Sequence, residues 1–142
     1  MPWTVLFHAA FEPEFNKLAS EVQDEILAHA LRLEAAGPSL GRPHVDTLNG
    51  SVHANMKELR FSSDGGIWRV AFAFDPVRQA ILLVAGDKSG QAQHRFYTAL
   101  IRKADERFAQ HIEHIGKQKN DDTQTKTGKS SGRKTKENRR TR

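Results

Sequence analysis

The stretch Met56–Gly90, MKELRFSSDGGIWRVAFAFDPVRQAILLVAGDKSG, constrains this chain more than any other. Three apolar runs follow one another, at about 54–62, 67–74 and 79–85. Ser63-Asp64-Gly65-Gly66 separates the first pair, and a turn opening at Asp75-Pro76 separates the second. Such runs, rich in Val, Ile, Phe and Trp and bounded by Gly, Pro and Asp, read as strands. Connections this short close antiparallel pairs, because a parallel pair needs a crossover of a dozen residues or more. The stretch is therefore a three-stranded antiparallel meander. Side chains alternate across a sheet. Trp68, Val70, Phe72 and Phe74 share one face with Leu59 and Phe61, and that is the core face. Arg69, Ala71 and Ala73 share the other with Glu58 and Arg60, where small alanines leave room above an open surface. Gln79–Ala85 is almost wholly apolar and reads as a buried strand.

The rest of the chain supplies helices. Trp3–Phe7 suits a short strand. Phe11, Phe15 and Leu18 recur at helical spacing. Ser20 is placed to cap a second helix, whose Val22, Ile26, Ala30 and Leu33 form a stripe with Leu27 and Leu31 beside it. Gly37-Pro38 stops that helix, and the two form a helical hairpin. Gly37–Gly50 reads as loop. After the loop Gly86–Gly90, residues 91–115 read as a helix whose stripe is Tyr97, Leu100, Ile101, Ala104 and Phe108. The order β-α-α-β-β-β-α, with helices covering one sheet face, predicts an α+β layer fold.

Charge divides the chain. Residues 1–117 carry 13 Lys and Arg against 14 Asp and Glu, a net of −1. Residues 118–142 carry 9 against 3, a net of +6, and contain no large apolar residue. Such a segment cannot bury enough surface to offset its ordering entropy. The reading is a folded domain over 1–117 and a basic, disordered tail over 118–142 that attracts nucleic acid weakly through counterion release. Any specific nucleic-acid binding by the domain needs a local patch. The chain has no cysteine, hence no disulfide and no thiolate metal site. The N-terminus lacks a basic signal-peptide region, and no apolar run approaches the roughly 20 residues of a membrane span. A cytoplasmic protein is expected.

Arg60 and Arg69 on one face offer two planar forks to phosphate oxygens. The competing reading is that one of them pairs with Glu58 across strands. Lys57 lies on the core face by alternation. Lys88 lies in a loop between a strand and a helix, where sites concentrate and helix N–H groups receive anions. Tyr97, the only tyrosine, fits either the apolar stripe or a stacking or acid–base role. His44 and His53 are available proton carriers. His111 and His114 lack a matching ligand cluster, so no metal is expected.

Taken together, Lys57-Glu58-Leu59-Arg60, Gly66–Phe72, Ile81–Lys88, Arg95-Phe96-Tyr97 and Ala104–Arg107 resemble the RelE/ParE superfamily of type II toxin–antitoxin toxins. The likeness is nearer to its HigB-like, phage-derived Gp49-type branch, and it spans residues 1–115. It implies a RelE/ParE-like fold and a ribosome-dependent mRNA endoribonuclease, an mRNA interferase that needs neither metal nor cofactor. The 2′-hydroxyl attacks the adjacent phosphate and leaves a 2′,3′-cyclic phosphate. By position, Arg69 corresponds to the strand arginine at the scissile phosphate and Arg60 to its support. Lys88 holds the basic position after the last strand, and Tyr97 the catalytic or stacking tyrosine. Lys57 and Arg95 join the RNA-binding set. Glu58 stands where the RelE pattern has lysine, which leaves Glu58, Asp87 and His53 as alternatives for the base. The implied partners are a cognate helix-turn-helix antitoxin, mRNA on the ribosome and, for the toxin–antitoxin complex, operator DNA. Two alternatives share the fold: a ParE-like gyrase inhibitor, and an inactive antitoxin-binding module.

Overall fold

The computed structural model describes residues 2–127. Along the chain run β1 (Thr4–Phe7), α1 (Phe11–Asn16), α2 (Ser20–Ala36), β2 (Val45–Thr47), β3 (Met56–Ser63), β4 (Gly66–Phe74), β5 (Gln79–Asp87) and α3 (Gln93–Thr127). The expected meander is β3-β4-β5. Its first turn is a two-residue hairpin in which Asp64 and Gly65 take φ of 50° and 76°. Positive φ at both positions matches the twist of the flanking strands, and Asp-Gly is a favoured pair there. Asp75 organises the second turn: its Oδ1 accepts the backbone N–H groups of Val77 and Gln79, at 3.0 and 2.9 Å.

The sheet has five strands in the order β1-β5-β4-β3-β2. β1 lies parallel to β5, with Thr4 opposite Gln79 and Phe7 opposite Leu82. β2 lies antiparallel to β3, pairing Val45 with Leu59 and Thr47 with Lys57. Sequence punctuation places β2 inside a loop; at three residues it is too short to show a period.

One face carries the main core. Phe11 and Phe15 of α1, with Val22, Ile26 and Leu33 of α2, pack on Leu59, Val70, Phe72 and Leu82. Phe7 stacks at 5.5 Å on Phe11 and meets Phe15 edge-on at 4.8 Å. The expected α2 stripe is thus the buried one, while Leu27 and Leu31 stay exposed. Ser20 is the first helical residue rather than the cap; Ala19 holds the cap position without a side-chain bond.

The second face is not open. α3 crosses it and buries Phe96, Leu100, Ala104 and Phe108. A Cβ on Gly86 of β5 would fall 2.8 Å from the Phe96 ring, so the lack of a side chain there is what admits the helix so closely. Ala71 and Ala73 are fully buried. Helices therefore cover both faces, and the room above the alanines is filled by α3. Strand alternation sorts side chains into two sets but does not say which set stays wet.

Arg107 joins α3 to this framework. A bulge between Ala71 and Phe72 shifts the β4–β5 register so that Leu83 has no opposite residue. The Leu83 carbonyl accepts Arg107 Nη1 at 2.8 Å, which satisfies a buried acceptor the ladder leaves over. Both Arg107 Nη groups also bond Glu14 of α1, at 2.9 and 2.6 Å. The guanidinium beside Glu14 holds its carboxyl below the usual range, against an opposing push from burial.

The unit that carries the sheet runs to Ala109. α3 itself continues to Thr127, past the expected end near Ile115. No proline interrupts that continuation. The basic segment beyond Thr127, most of the tail expected to be disordered, lies outside the described residues. Among the described residues no helix is long and apolar enough to cross a membrane.

Candidate active site

Cross-strand register places Arg60 directly opposite Arg69, and Glu58 opposite Ala71. Like charges opposed across a ladder destabilise it, so this arrangement needs counter-charge, and Glu58 supplies it. Arg60 Nη1 lies 3.3 Å from Glu58 Oε2, and Arg69 Nε lies 3.8 Å from Glu58 Oε1. The pairing with Glu58 weighed against a phosphate role is therefore present for both arginines, across strands for Arg69 and within β3 for Arg60.

Tyr97 completes the cluster from α3. Its hydroxyl donates to Glu58 Oε1 at 3.0 Å and accepts from Arg69 Nε at 3.2 Å. A second Arg69 nitrogen, Nη1, donates to the Trp68 carbonyl at 2.9 Å. Glu58 is 4% exposed and Arg69 6%, whereas the Arg60 side chain is 33% exposed. Arg60 is thus the more exposed of the two guanidiniums, and Arg69 is buried beside Tyr97. Lys88 stands over the Tyr97 ring, with Nζ 5.8 Å from its centroid, within cation–π range.

Burial pushes the Glu58 carboxyl up; the Tyr97 hydrogen bond, Arg69 and Arg60 pull the other way, and Asp46 adds to the rise. Burial also raises the Tyr97 phenol, and the Glu58 carboxylate adds to that effect. Glu58 is thus a stronger base than an exposed carboxylate, and Tyr97 holds its proton at neutral pH. A base, a phenolic proton donor and two guanidiniums meet at one place.

Sequence reasoning brought Glu58, Arg60, Arg69, Tyr97 and Lys88 forward, and the fold brings these five together. Four others make different contacts. Lys57 pairs with Phe72 in the register and takes the opposite sheet face. His53 packs edge-on against Phe108 at 5.0 Å and contacts the Asp105 carbonyl at 3.3 Å. That carbonyl is eight residues beyond Tyr97, about 12 Å along the helix axis. Arg95 is exposed in the first turn of α3. Asp87 shapes its loop: its Oδ1 accepts from the backbone N–H groups of Ile67 and Ser89, both at 3.0 Å, and from Ser89 Oγ at 2.7 Å. The Ser89 hydroxyl holds the Asp87 carboxyl below its usual range, and the Ser89 N–H is already engaged rather than free for an anion.

Two residues escaped sequence reasoning. Asp46 on β2 accepts Arg42 Nη2 at 2.7 Å and Arg60 Nη1 at 3.3 Å. Opposite charges four residues apart were the available signal, but both residues sat in a segment read as loop. Among the described residues no group of three or more His, Asp or Glu side chains is placed to hold a metal ion.

A five-stranded sheet with a helical hairpin on one face and a single helix on the other defines a RelE-like α+β fold. The solved structure of a mutant of the E. coli toxin RelE in its free state is similar, with a TM-score of 0.53 over 72% of this chain and 97% of that one. Identity there is 14%, so the likeness speaks to the fold alone. Residues 13–109 match the phage-derived protein Gp49-like family (DUF891), and the chain belongs to that family. Among Mycobacterium tuberculosis proteins, the candidate toxin HigB2 is 49% identical over 98 residues, covering 68% of this chain and 48% of that protein. The candidate toxin HigB3 is 55% identical over 75 residues, covering 53% and 63%. The chain spans about half the length of HigB2 and under two thirds of HigB3.

Proposed function

We propose that this chain is the toxin of a type II toxin–antitoxin pair and acts as a metal-independent endoribonuclease on mRNA being translated at the ribosome. The observation that carries this reading is the Glu58–Tyr97–Arg69 cluster, in which every polar separation is 3.8 Å or less. Fold alone does not fix function, since related folds host different activities; the site has to carry the argument. Relatives named as candidate toxins support the same reading.

The chemistry follows from the groups present. Glu58 takes the proton of a ribose 2′-hydroxyl, and that oxygen attacks the adjacent phosphorus. Arg60 and Arg69 meet the charge that grows on the non-bridging oxygens. The bond to the 5′-oxygen breaks, and Tyr97 or Lys88 returns a proton to it. The products are a 2′,3′-cyclic phosphate and a 5′-hydroxyl, with no atom gained or lost. General acid–base transfer of this kind contributes about 10²–10⁴-fold.

The same reading assigns 1–117 to the toxin domain and 118–142 to a basic appendage, with a cytoplasmic location. A helix-turn-helix antitoxin is its partner, and the pair binds operator DNA. Lys57 and Arg95 contact RNA outside the cluster. The test is induced expression with mapping of mRNA 5′ ends. New ends are expected within translated messages for the wild type and none for a folded Arg69→Ala variant. Growth arrest without new ends, or an equally toxic folded Arg69→Ala protein, refutes the nuclease.

A further inference from the structure

Glu58 and Asp46 are opposite residues in the β2–β3 register. Two facing carboxylates repel, and a single nitrogen keeps them together: Arg60 Nη1 lies 3.3 Å from Asp46 Oδ2 and 3.3 Å from Glu58 Oε2. Asp46 is itself fixed. Its Oδ2 takes Arg42 Nη2 at 2.7 Å, and its Oδ1 takes the Thr47 N–H at 2.9 Å. The Arg60 backbone is anchored as well, its N–H donating to the His44 carbonyl at 2.9 Å. The side chains form an alternating series from Arg42 through Asp46, Arg60, Glu58 and Tyr97 to Arg69, running from one sheet edge to α3.

We infer that Asp46, backed by Arg42, is a positioning residue that shares the Arg60 guanidinium with Glu58 and so decides both where Arg60 stands and how strong a base Glu58 is. This rests on the reading of Glu58 as a proton acceptor. If Arg60 paired with Glu58 alone, it would hold that carboxylate ionised and weakly basic, and its own fork would be occupied when phosphate arrived. Asp46 draws Arg60 half away. It leaves Glu58 basic and keeps a cation, 33% exposed, at the mouth of the cluster. The groups facing Glu58 are then Asp46 from β2, Arg60 from β3, Arg69 from β4 and Tyr97 from α3, with Lys88 after β5 reaching the Tyr97 ring.

The test is the titration of the Glu58 side-chain carboxyl by carbon-detected NMR on the labelled full chain. It requires no cleavage activity. Asp46→Asn is expected to move the Glu58 titration to lower pH, because Arg60 closes on Glu58 and a negative neighbour is lost. In an Arg60→Gln background the same change is expected to move it far less. Arg42→Ala, at a side chain 76% exposed, is expected to move it to higher pH, because Asp46 then claims more of Arg60. The acid limb of the cleavage pH profile should follow in each case. An unmoved Glu58 in folded Asp46→Asn overturns the inference, as does an equal shift with and without Arg60. Should Asp46→Asn not fold, an unmoved or lowered titration in Arg42→Ala overturns it. If the titrations move as expected while neither wild type nor variants cut RNA, the positioning stands and the nuclease reading falls.

Discussion

The two faces of one sheet are built from alternate residues of the same strands, yet they solve different problems. Under α1 and α2, Leu59, Val70, Phe72 and Leu82 are buried apolar groups. Under α3, one residue along in each strand, Glu58 and Arg69 are buried charged groups. The first face gains stability from area removed from water. The second takes charges out of water, where pairing seldom returns more than desolvation takes. On the proposed reading the cluster is kept for catalysis rather than for stability.

The largest effect belongs to the apolar face. Phe72→Ala should remove about 3–5 kcal/mol, a large part of the roughly 5–15 kcal/mol that holds a domain together. Denaturant titration should show loss of the folded state, and toxicity should vanish with it. If Phe72→Ala stays as stable as the wild type, the α1/α2 face is not the main core.

Next comes Glu58→Gln, which keeps shape and removes the proposed base. Cleavage should fall by about 10²–10⁴-fold, while the amide spectrum stays native and stability at neutral pH falls, because Arg60 and Arg69 lose their counter-charge. A folded variant that cuts as fast as the wild type would leave Glu58 a counter-ion alone and erase the distinction between the faces.

A smaller change sharpens the boundary. Tyr97→Phe removes a hydroxyl that touches both Glu58 and Arg69. Stability should fall by about 0.5–1.5 kcal/mol, the net worth of an ordinary hydrogen bond. The Glu58 titration should rise, since a donor to its charged form is gone. A titration that stays put would mean the Tyr97 hydroxyl is not bonded to Glu58 in solution.

The same comparison explains what was legible in the sequence. Apolar periodicity reports a face that packs on its own neighbours, so the α2 stripe and the Trp68–Phe74 face could be read residue by residue. Charged residues among apolar ones also stood out, which gave Arg60, Arg69 and Glu58. What lay hidden depends on partners distant in sequence. Tyr97 reaches Glu58 across 39 positions, and α3 roofs a face that alternation alone leaves open. Asp46 was missed because β2 gets its strand character from pairing with β3. β1 was read as a strand, but its parallel seat beside β5 follows from the whole chain path.

The finest test uses pH, because the two faces carry titrating groups with opposite signs. His29 on α2 is buried against Phe61 and His44, at centroid distances of 5.3 and 5.2 Å. Its Nδ1 donates to the Glu25 carbonyl at 2.8 Å, and its Nε2 has no hydrogen-bond partner among the described residues. Burial lowers its pKa below the usual 6.5, with Arg32 and His44 adding to the fall and the Glu25 carbonyl opposing it. A depressed histidine contributes stability that is complete above 6.5 and is lost as pH falls through the folded value. Glu58 runs the other way. Its raised folded pKa contributes stability that is complete below the usual 4.5 and is lost as pH rises through the folded value. Between the two usual values, 4.5 and 6.5, the two slopes have opposite signs and each offsets part of the other. Single variants should separate them. His29→Leu should leave stability falling as pH rises through this window. Glu58→Gln should leave it falling as pH drops. The Glu14–Arg107 pair acts only below that window, because the Glu14 carboxyl lies under its usual 4.5. Denaturant melts of the three proteins at half-unit pH steps would decide it. Parallel profiles for the two variants would mean that the faces do not titrate against each other.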